Sequence, residues 1–167
     1  MSIANDHIGQ LFSGLAPEAA QQLNAMFVEG SPAKLAGMDK PKQEAIYARA
    51  YGLYQKGRYR KALPLFTQLV VLDHLERRYV LGLAATHQML SEHEEALTYY
   101  MAALMLQPMD PWPLLRCAEC LSAQGKGEEA VEALALARQL CEAGYQPRAL
   151  AHAVILEARF AARHGAR

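Results

Sequence analysis

Cys117 and Cys120 have the CxxC spacing, which can hold a metal ion or cycle between dithiol and disulfide. A structural zinc site needs four ligands, and Cys141, His93 and His152 do not supply a second ligand pair at the usual spacing. Both cysteines stand in an apolar helical stretch, where cysteine behaves as a small hydrophobic residue. We therefore predict that they pack in the core. A thiol or metal protein stays the alternative.

Other candidates for acid–base chemistry are histidines near helix ends, His74, His87 and His93. Histidines in such places usually interact with carbonyl groups or solvent. The sequence has no phosphate-binding glycine loop and no GxSxG or HExxH motif. No nucleophile, base and orienting group are arranged together. We therefore predict a protein that is not an enzyme and has no metal or cofactor.

Three tyrosines at helical spacing indicate recognition instead: Tyr47, Tyr51 and Tyr54, called here the tyrosine wall. A neighbouring stripe, rotated by about 100°, is expected to face a partner helix. Its members are Ile46, Ala50 and Leu53. The tyrosines must then face elsewhere, and a flat apolar body with a polar tip suits a peptide-binding groove. Packing under an amino-terminal helix is the alternative, and both hold if that helix partly covers the groove.

A 34-residue repeat from Gln43 to Cys141 positions these side chains. Five columns agree in all three copies: Ala50, Ala84 and Ala118; Ala62, Ala96 and Ala130; Phe66, Tyr100 and Leu134; Leu69, Ala103 and Ala137; Leu72, Leu106 and Leu140. A break at Gly57, Ser91 and Gly125 separates the first two columns. This period, with small residues at fixed points, is typical of the tetratricopeptide helix–turn–helix repeat.

We therefore predict an all-α fold whose three repeats stack in a right-handed superhelix, with the tyrosine wall on the concave side. The repeats are placed at 43–76, 77–110 and 111–144. Their helices are expected at about 43–56, 60–73, 77–90, 94–107, 111–124 and 128–141. Residues 145–167 are expected to form a capping helix with Leu150, Val154 and Phe160 along one face.

Residues 1–40 do not follow the repeat and are predicted to form an amino-terminal helix and a linker. Pro17 suits the first turn of that helix. Its apolar stripe consists of Leu15, Ala19, Leu23, Met26 and Phe27. Such a stripe must be buried, so it either folds back on the repeats or pairs with its copy to make a homodimer.

Composition restricts the partners and the compartment. A chain of 167 residues, 52% of them apolar, fits one domain with a core. Basic and acidic residues balance, 17 against 17, which argues against nucleic acid as a partner. No stretch approaches the ~20 apolar residues of a membrane span, so direct membrane insertion is not expected. The first ten residues lack the pattern of a secretory signal, and we predict a cytoplasmic protein.

The predicted groove also includes Glu44 of the first repeat. Positions equivalent to the tyrosine wall in the other two repeats extend it: Leu81, Ala85, Gln88, Leu115 and Glu119. Three repeats accommodate an extended segment of about six to eight residues, ~20–25 Å. Grooves that grip carboxyl-terminal peptides of heat-shock proteins use Lys, Arg and Asn. The asparagines here, Asn5 and Asn24, lie outside the repeats, and that subclass is not expected.

Two segments resemble the class II chaperones of type III secretion. Residues 47–54, YARAYGLY, followed by Gly57-Arg58-Tyr59 and Ala62, look like the first repeat of that family. Residues 110–121, DPWPLLRCAECL, are similar to its segment between the second and third repeats, where Asp-Pro precedes an aromatic residue and Ala-Glu-Cys. This sequence has Leu115-Arg116-Cys117 where the family often has His-Ala-Ala.

The resemblance implies a chaperone in the cytoplasm of a Gram-negative bacterium. It implies that the groove binds an extended motif of two hydrophobic translocator proteins and keeps them apart, soluble and secretion-competent. It also implies homodimers through the amino-terminal helices and, in some members, binding of a transcription activator. Alternative interpretations are a general tetratricopeptide scaffold and a chaperone for the secretion needle subunit.

Overall fold

The computed structural model describes residues 38–164, and this part of the chain is entirely helical. Its seven helices are α1 (Lys40–Gln55), α2 (Tyr59–Leu72), α3 (Arg77–Met89), α4 (His93–Leu106), α5 (Trp112–Ala123), α6 (Gly127–Ala143) and α7 (Pro147–His164). The prediction of an all-α fold is confirmed. The expected helix ends within the repeats agree with the observed ones to within three residues. The predicted amino-terminal helix, with its stripe from Leu15 to Phe27, lies outside the described residues.

Consecutive helices form three hairpins, α1 with α2, α3 with α4 and α5 with α6, and α7 follows the third. Each helix packs on the next along the chain. In addition, α1 contacts α3, and α5 contacts α7. The first helices of the first two hairpins are therefore neighbours, and α7 lies beside the first helix of the third, as stacked repeats require. None of the helices between residues 38 and 164 has the length and apolar character that a membrane-spanning helix requires.

An acidic residue precedes the first turn of each of the helices α1, α3 and α5. The carboxylate of Asp39 accepts a hydrogen bond from a backbone N–H at the start of α1 (3.2 Å), Glu76 does so for α3 (3.4 Å) and Asp110 for α5 (3.0 Å). Such bonds satisfy N–H groups that have no partner within the helix, and a negative charge there suits the helix dipole.

The repeat columns form the centre of the core. The six alanines of the first two columns are completely buried, as predicted. Phe66 is also buried, and a Cβ atom added to Gly82 would lie 2.3 Å from its ring. The small residues therefore let neighbouring helices approach closely, and larger side chains such as Phe66 fill the remaining space.

The break in each repeat is the turn between its two helices. Gly57, Ser91 and Gly125 have φ angles of 69°, 63° and 80°, in the left-handed region that glycine adopts most easily. The residue after each of them donates a backbone hydrogen bond of 2.9–3.0 Å to the carbonyl five residues earlier. This is the Schellman arrangement, and it satisfies carbonyls at the helix end.

The capping helix α7 differs from its predicted pattern in one respect. Phe160 is buried as expected, whereas Val154 is 50% exposed. The residues of α7 that join the core are Ala149, Ala153, Leu156 and Phe160. Their spacing of four, three and four follows the helical period, which places Val154 on the other side.

Candidate peptide-binding site

Contacts between side chains define one face made by the first helices of the hairpins. Arg78 of α3 donates to Glu44 of α1 at 2.6 Å. Gln88 of α3 donates to Glu119 of α5 at 2.9 Å, and the Nε2 atom of His152 in α7 lies 3.1 Å from the same carboxylate. We call this surface the first-helix face. It runs across α1, α3, α5 and α7, and it includes the tyrosine wall.

The tyrosine wall forms the end of the first-helix face on α1. The rings of Tyr47 and Tyr51 are stacked, with centroids 6.1 Å apart and an angle of 13° between their planes. Tyr54 packs edge-on against Tyr59 of α2, with centroids 5.3 Å apart. Tyr51 is 46% exposed, whereas Tyr47 and Tyr54 are half-buried. Tyr51 is thus the member of the wall with the most free surface.

The ring of Tyr47 is held by neighbours from α2 and α3. Phe66 lies edge-on to it, with centroids 6.1 Å apart, and Tyr79 lies tilted at 5.6 Å. The guanidinium carbon of Arg78 is 5.1 Å from the centroid of Tyr47. Burial raises the pKa of both Tyr47 and Tyr54. These phenols therefore stay neutral at physiological pH and offer an apolar surface with one hydroxyl donor each.

Three of the remaining predicted groove residues are apolar or small, and they differ in how much of the side chain is exposed. Leu81 and Ala85 of α3 are partly exposed. Leu115 of α5 is completely buried and belongs to the core that α7 completes. Its role in binding stays a prediction, and in this structure its side chain lies below the first-helix face.

A network of polar side chains fills the face between α3 and α7. The Tyr100 hydroxyl donates to Gln88 Oε1 (2.6 Å), and Gln88 Nε2 donates to Glu119 Oε2 (2.9 Å). Arg116 Nη1 donates to the same oxygen (2.8 Å), while His152 reaches the other. Burial alone would raise the pKa of Glu119, but the hydrogen bond and charge of Arg116, with the bonds of Gln88 and His152, outweigh it and lower the pKa. Glu119 is therefore a charged acceptor shared by three helices.

Arg78 is a residue of this face that the sequence reasoning missed. Its guanidinium forms ion pairs with Glu44 (2.6 Å) and with Glu76 (3.1 Å). The hydrogen bond to Arg78 lowers the pKa of Glu44, so the carboxylate stays charged. Position 78 follows position 44 by one repeat, and opposite charges at that spacing are the signal that could have identified the pair.

The residues that first suggested chemistry lie elsewhere. Cys117 and Cys120 are buried in the core, as predicted. Burial raises the pKa of both thiols, that of Cys120 to about 12, so neither is a reactive thiolate. His87 Nδ1 lies 2.7 Å from Glu92, and its ring stacks on Tyr99 with centroids 5.5 Å apart. Within residues 38–164, no cluster of three or more His, Cys, Asp or Glu side chains could hold a metal ion.

The sequence and the fold have known relatives. The chain is 33% identical over 111 residues to Low calcium response locus protein H of Yersinia pestis, a match that spans 66% of each chain, just under two thirds of that relative. It resembles the solved type III secretion translocator chaperone SycD of Yersinia enterocolitica, with 30% identity, a TM-score of 0.69 and coverage of 78% of this chain and 98% of that one. No family model matches the sequence.

A third relative is PcrH, which is known from Pseudomonas aeruginosa. Its structure in complex with the chaperone-binding region of PopD matches with 32% identity and a TM-score of 0.68, covering 75% of this chain and 93% of that one. These are helical proteins of one class, the chaperones of secretion translocators. This chain belongs to the family of type III secretion translocator chaperones. The resemblance read from residues 47–62 and 110–121 is confirmed.

Proposed function

We propose that this chain is a cytoplasmic chaperone that binds hydrophobic translocator proteins of a type III secretion system. An extended segment of the translocator lies along the first-helix face, and its apolar residues contact the tyrosine wall. Covering that segment keeps the client soluble and competent for secretion. The function requires binding and release only, which is why we place the protein outside the enzymes.

The observation that carries the proposal is the exposed ring of Tyr51, stacked on Tyr47 where the first helices meet. A large aromatic surface that is open to solvent is what a binding site for apolar side chains needs. Two known complexes of relatives support the binding of a translocator segment. PcrH, which is 32% identical to this chain over the matched region, is known in complex with the chaperone-binding region of PopD, and SycD is known with a peptide of YopD.

Co-expression tests the proposal. The chain would be produced with each hydrophobic translocator of the type III secretion system of its own organism, and separately with the needle subunit of that system. We expect each translocator to stay soluble and to co-purify with the chain, and the needle subunit not to co-purify. Co-purification of the needle subunit alone would favour the chaperone of that subunit. A chain that retains neither translocator would contradict the proposed function.

The predicted homodimer is a separate part of the proposal. Its stripe, from Leu15 to Phe27, lies outside the described residues, and dimers are known for the relative SycD. Substituting Leu23 and Phe27 with Glu is expected to convert the dimer into a monomer in sedimentation analysis. The translocator would still bind, because the first-helix face lies within one chain.

A further inference from the structure

We propose that Arg78 is a positioning residue for client binding: it fixes the ring of Tyr47 and, through the stack, the exposed ring of Tyr51. This inference rests on the proposed function, since it explains how the same face is prepared for a client. Arg78 touches the tyrosine wall from α3, on the opposite side of the boundary between the first two repeats.

Two carboxylates hold the guanidinium of Arg78. Its Nη1 and Nη2 atoms donate to the two carboxylate oxygens of Glu44 at 3.3 and 2.6 Å. Its Nε and Nη2 atoms donate to the two oxygens of Glu76, both at 3.1 Å. Glu44 lies on α1 and Glu76 is the residue before α3, so the group is held both from the neighbouring helix and from the start of its own helix. Only a planar fork of several N–H donors can make both bidentate pairs, and a lysine ammonium cannot.

The guanidinium of Arg78 also contacts the tyrosine wall. The same guanidinium carbon lies 5.1 Å from the centroid of the Tyr47 ring, within the range of a cation–π interaction. Tyr47 in turn stacks on Tyr51. A guanidinium fixed by two carboxylates therefore restricts the ring of Tyr47, and that ring restricts Tyr51. Ordering these rings before the client arrives reduces the entropy that binding would otherwise lose.

The first arm of the test needs no client. In protein with carbon-13 in the tyrosine rings, Arg78→Ala is expected to shift and broaden the ring signals of Tyr47 and Tyr51, assigned through their Phe variants. The signal of Tyr145, an exposed ring in the turn before α7, should not change. Arg49→Ala, which removes an exposed arginine from α1, is the matched control and should change neither signal. Unchanged Tyr47 and Tyr51 signals in Arg78→Ala would overturn the inference.

The second arm measures affinity for the translocator that co-purifies with the chain. We expect Arg78→Ala to raise Kd by about 3- to 10-fold. The same substitution in a Tyr47→Ala background should change Kd by less than about 2-fold, because its effect passes through that ring. Arg78→Lys keeps the charge but loses the fork, and it should recover less than half of the loss on a logarithmic scale.

The outcomes separate this inference from the proposed function. Equal effects of Arg78→Ala in the two backgrounds would show that Arg78 acts independently of Tyr47, and the inference would be wrong. If Tyr47→Ala and Tyr51→Ala both left Kd unchanged, the proposed binding face would be wrong instead. In that case the ring signals of the first arm would still decide whether Arg78 positions the wall.

Discussion

Replacing Tyr51 with alanine is the most informative single change on the proposed face. A tyrosine side chain buries about 150–250 Å² when fully covered. Since 46% of Tyr51 is exposed, a client that covers the ring removes about 90 Å² from water. At about 25 cal/mol per Å², this contributes about 2 kcal/mol, or roughly 30-fold in Kd. The free protein should lose at most about 1 kcal/mol of stability, because the Tyr51 ring stacks on Tyr47 and much of its surface is already exposed.

Isothermal titration with the co-purifying translocator measures this loss, and urea unfolding of the same samples measures stability. Tyr51→Phe keeps the ring and should bind within about 3-fold of the unchanged protein. Tyr145→Ala is the matched control, since it deletes a 90% exposed ring far along the chain, and it should leave Kd unchanged. Equal Kd values for Tyr51→Ala and the control would refute the reasoning.

Three further predictions concern stability and are measured by urea unfolding. Gly57→Ala should lower the unfolding free energy by about 1 kcal/mol, because the φ angle of Gly57 is 69°. Gly52→Ala inside α1 should instead raise it by about 0.5–1 kcal/mol. A change of the same sign in both variants would contradict these expectations. Gly82→Ala should cost about 1–3 kcal/mol, since its new methyl would lie 2.3 Å from a buried phenyl ring; an unchanged midpoint would contradict this. Glu119→Gln should cost about 1–2 kcal/mol at pH 7. Because the folded pKa of Glu119 is lowered, that difference should shrink as the pH falls below about 4.5 and disappear once the pH is below the folded pKa. A difference that does not change with pH would contradict this, and exposed Glu129→Gln is the control.

The fold could be predicted because the same physical requirement recurs three times. Each hairpin needs small residues where its helices touch and a left-handed residue where they turn. A 34-residue period therefore makes both alanine columns, and the break at Gly57, Ser91 and Gly125, recognisable in the sequence. Ser91 also has a positive φ angle, so what the three repeats share at this position is the left-handed backbone conformation and not glycine itself.

The candidate site could be predicted only in part. The tyrosine wall follows from helical spacing within α1, and its stripe is a local property of the sequence. Leu115 was assigned to the groove by equivalence with Tyr47, but α7 packs on α5 and the side chain is buried. Helix α1 has a different environment from α5, so equivalence in the repeat does not guarantee equal exposure.

The role of Arg78 depends on contact between repeats, which helical spacing within one helix does not show. Its partner Glu44 was placed in the groove without a reason for its charge. Pairs separated by 33 or 34 residues recur, as in Lys40 with Asp73, Arg77 with Asp110, and His152 with Glu119. Comparing charges one repeat apart would have found the pair, and this test applies to any stacked repeat.

Site-specific photo-crosslinking tests whether the translocator lies against Tyr51 in the complex. A photoreactive phenylalanine analogue would replace Tyr51 in one sample and Tyr145 in another, each co-expressed with the translocator. We expect a covalent product between chain and translocator from position 51 and none from position 145. Crosslinking from position 145 with none from position 51 would contradict this expectation.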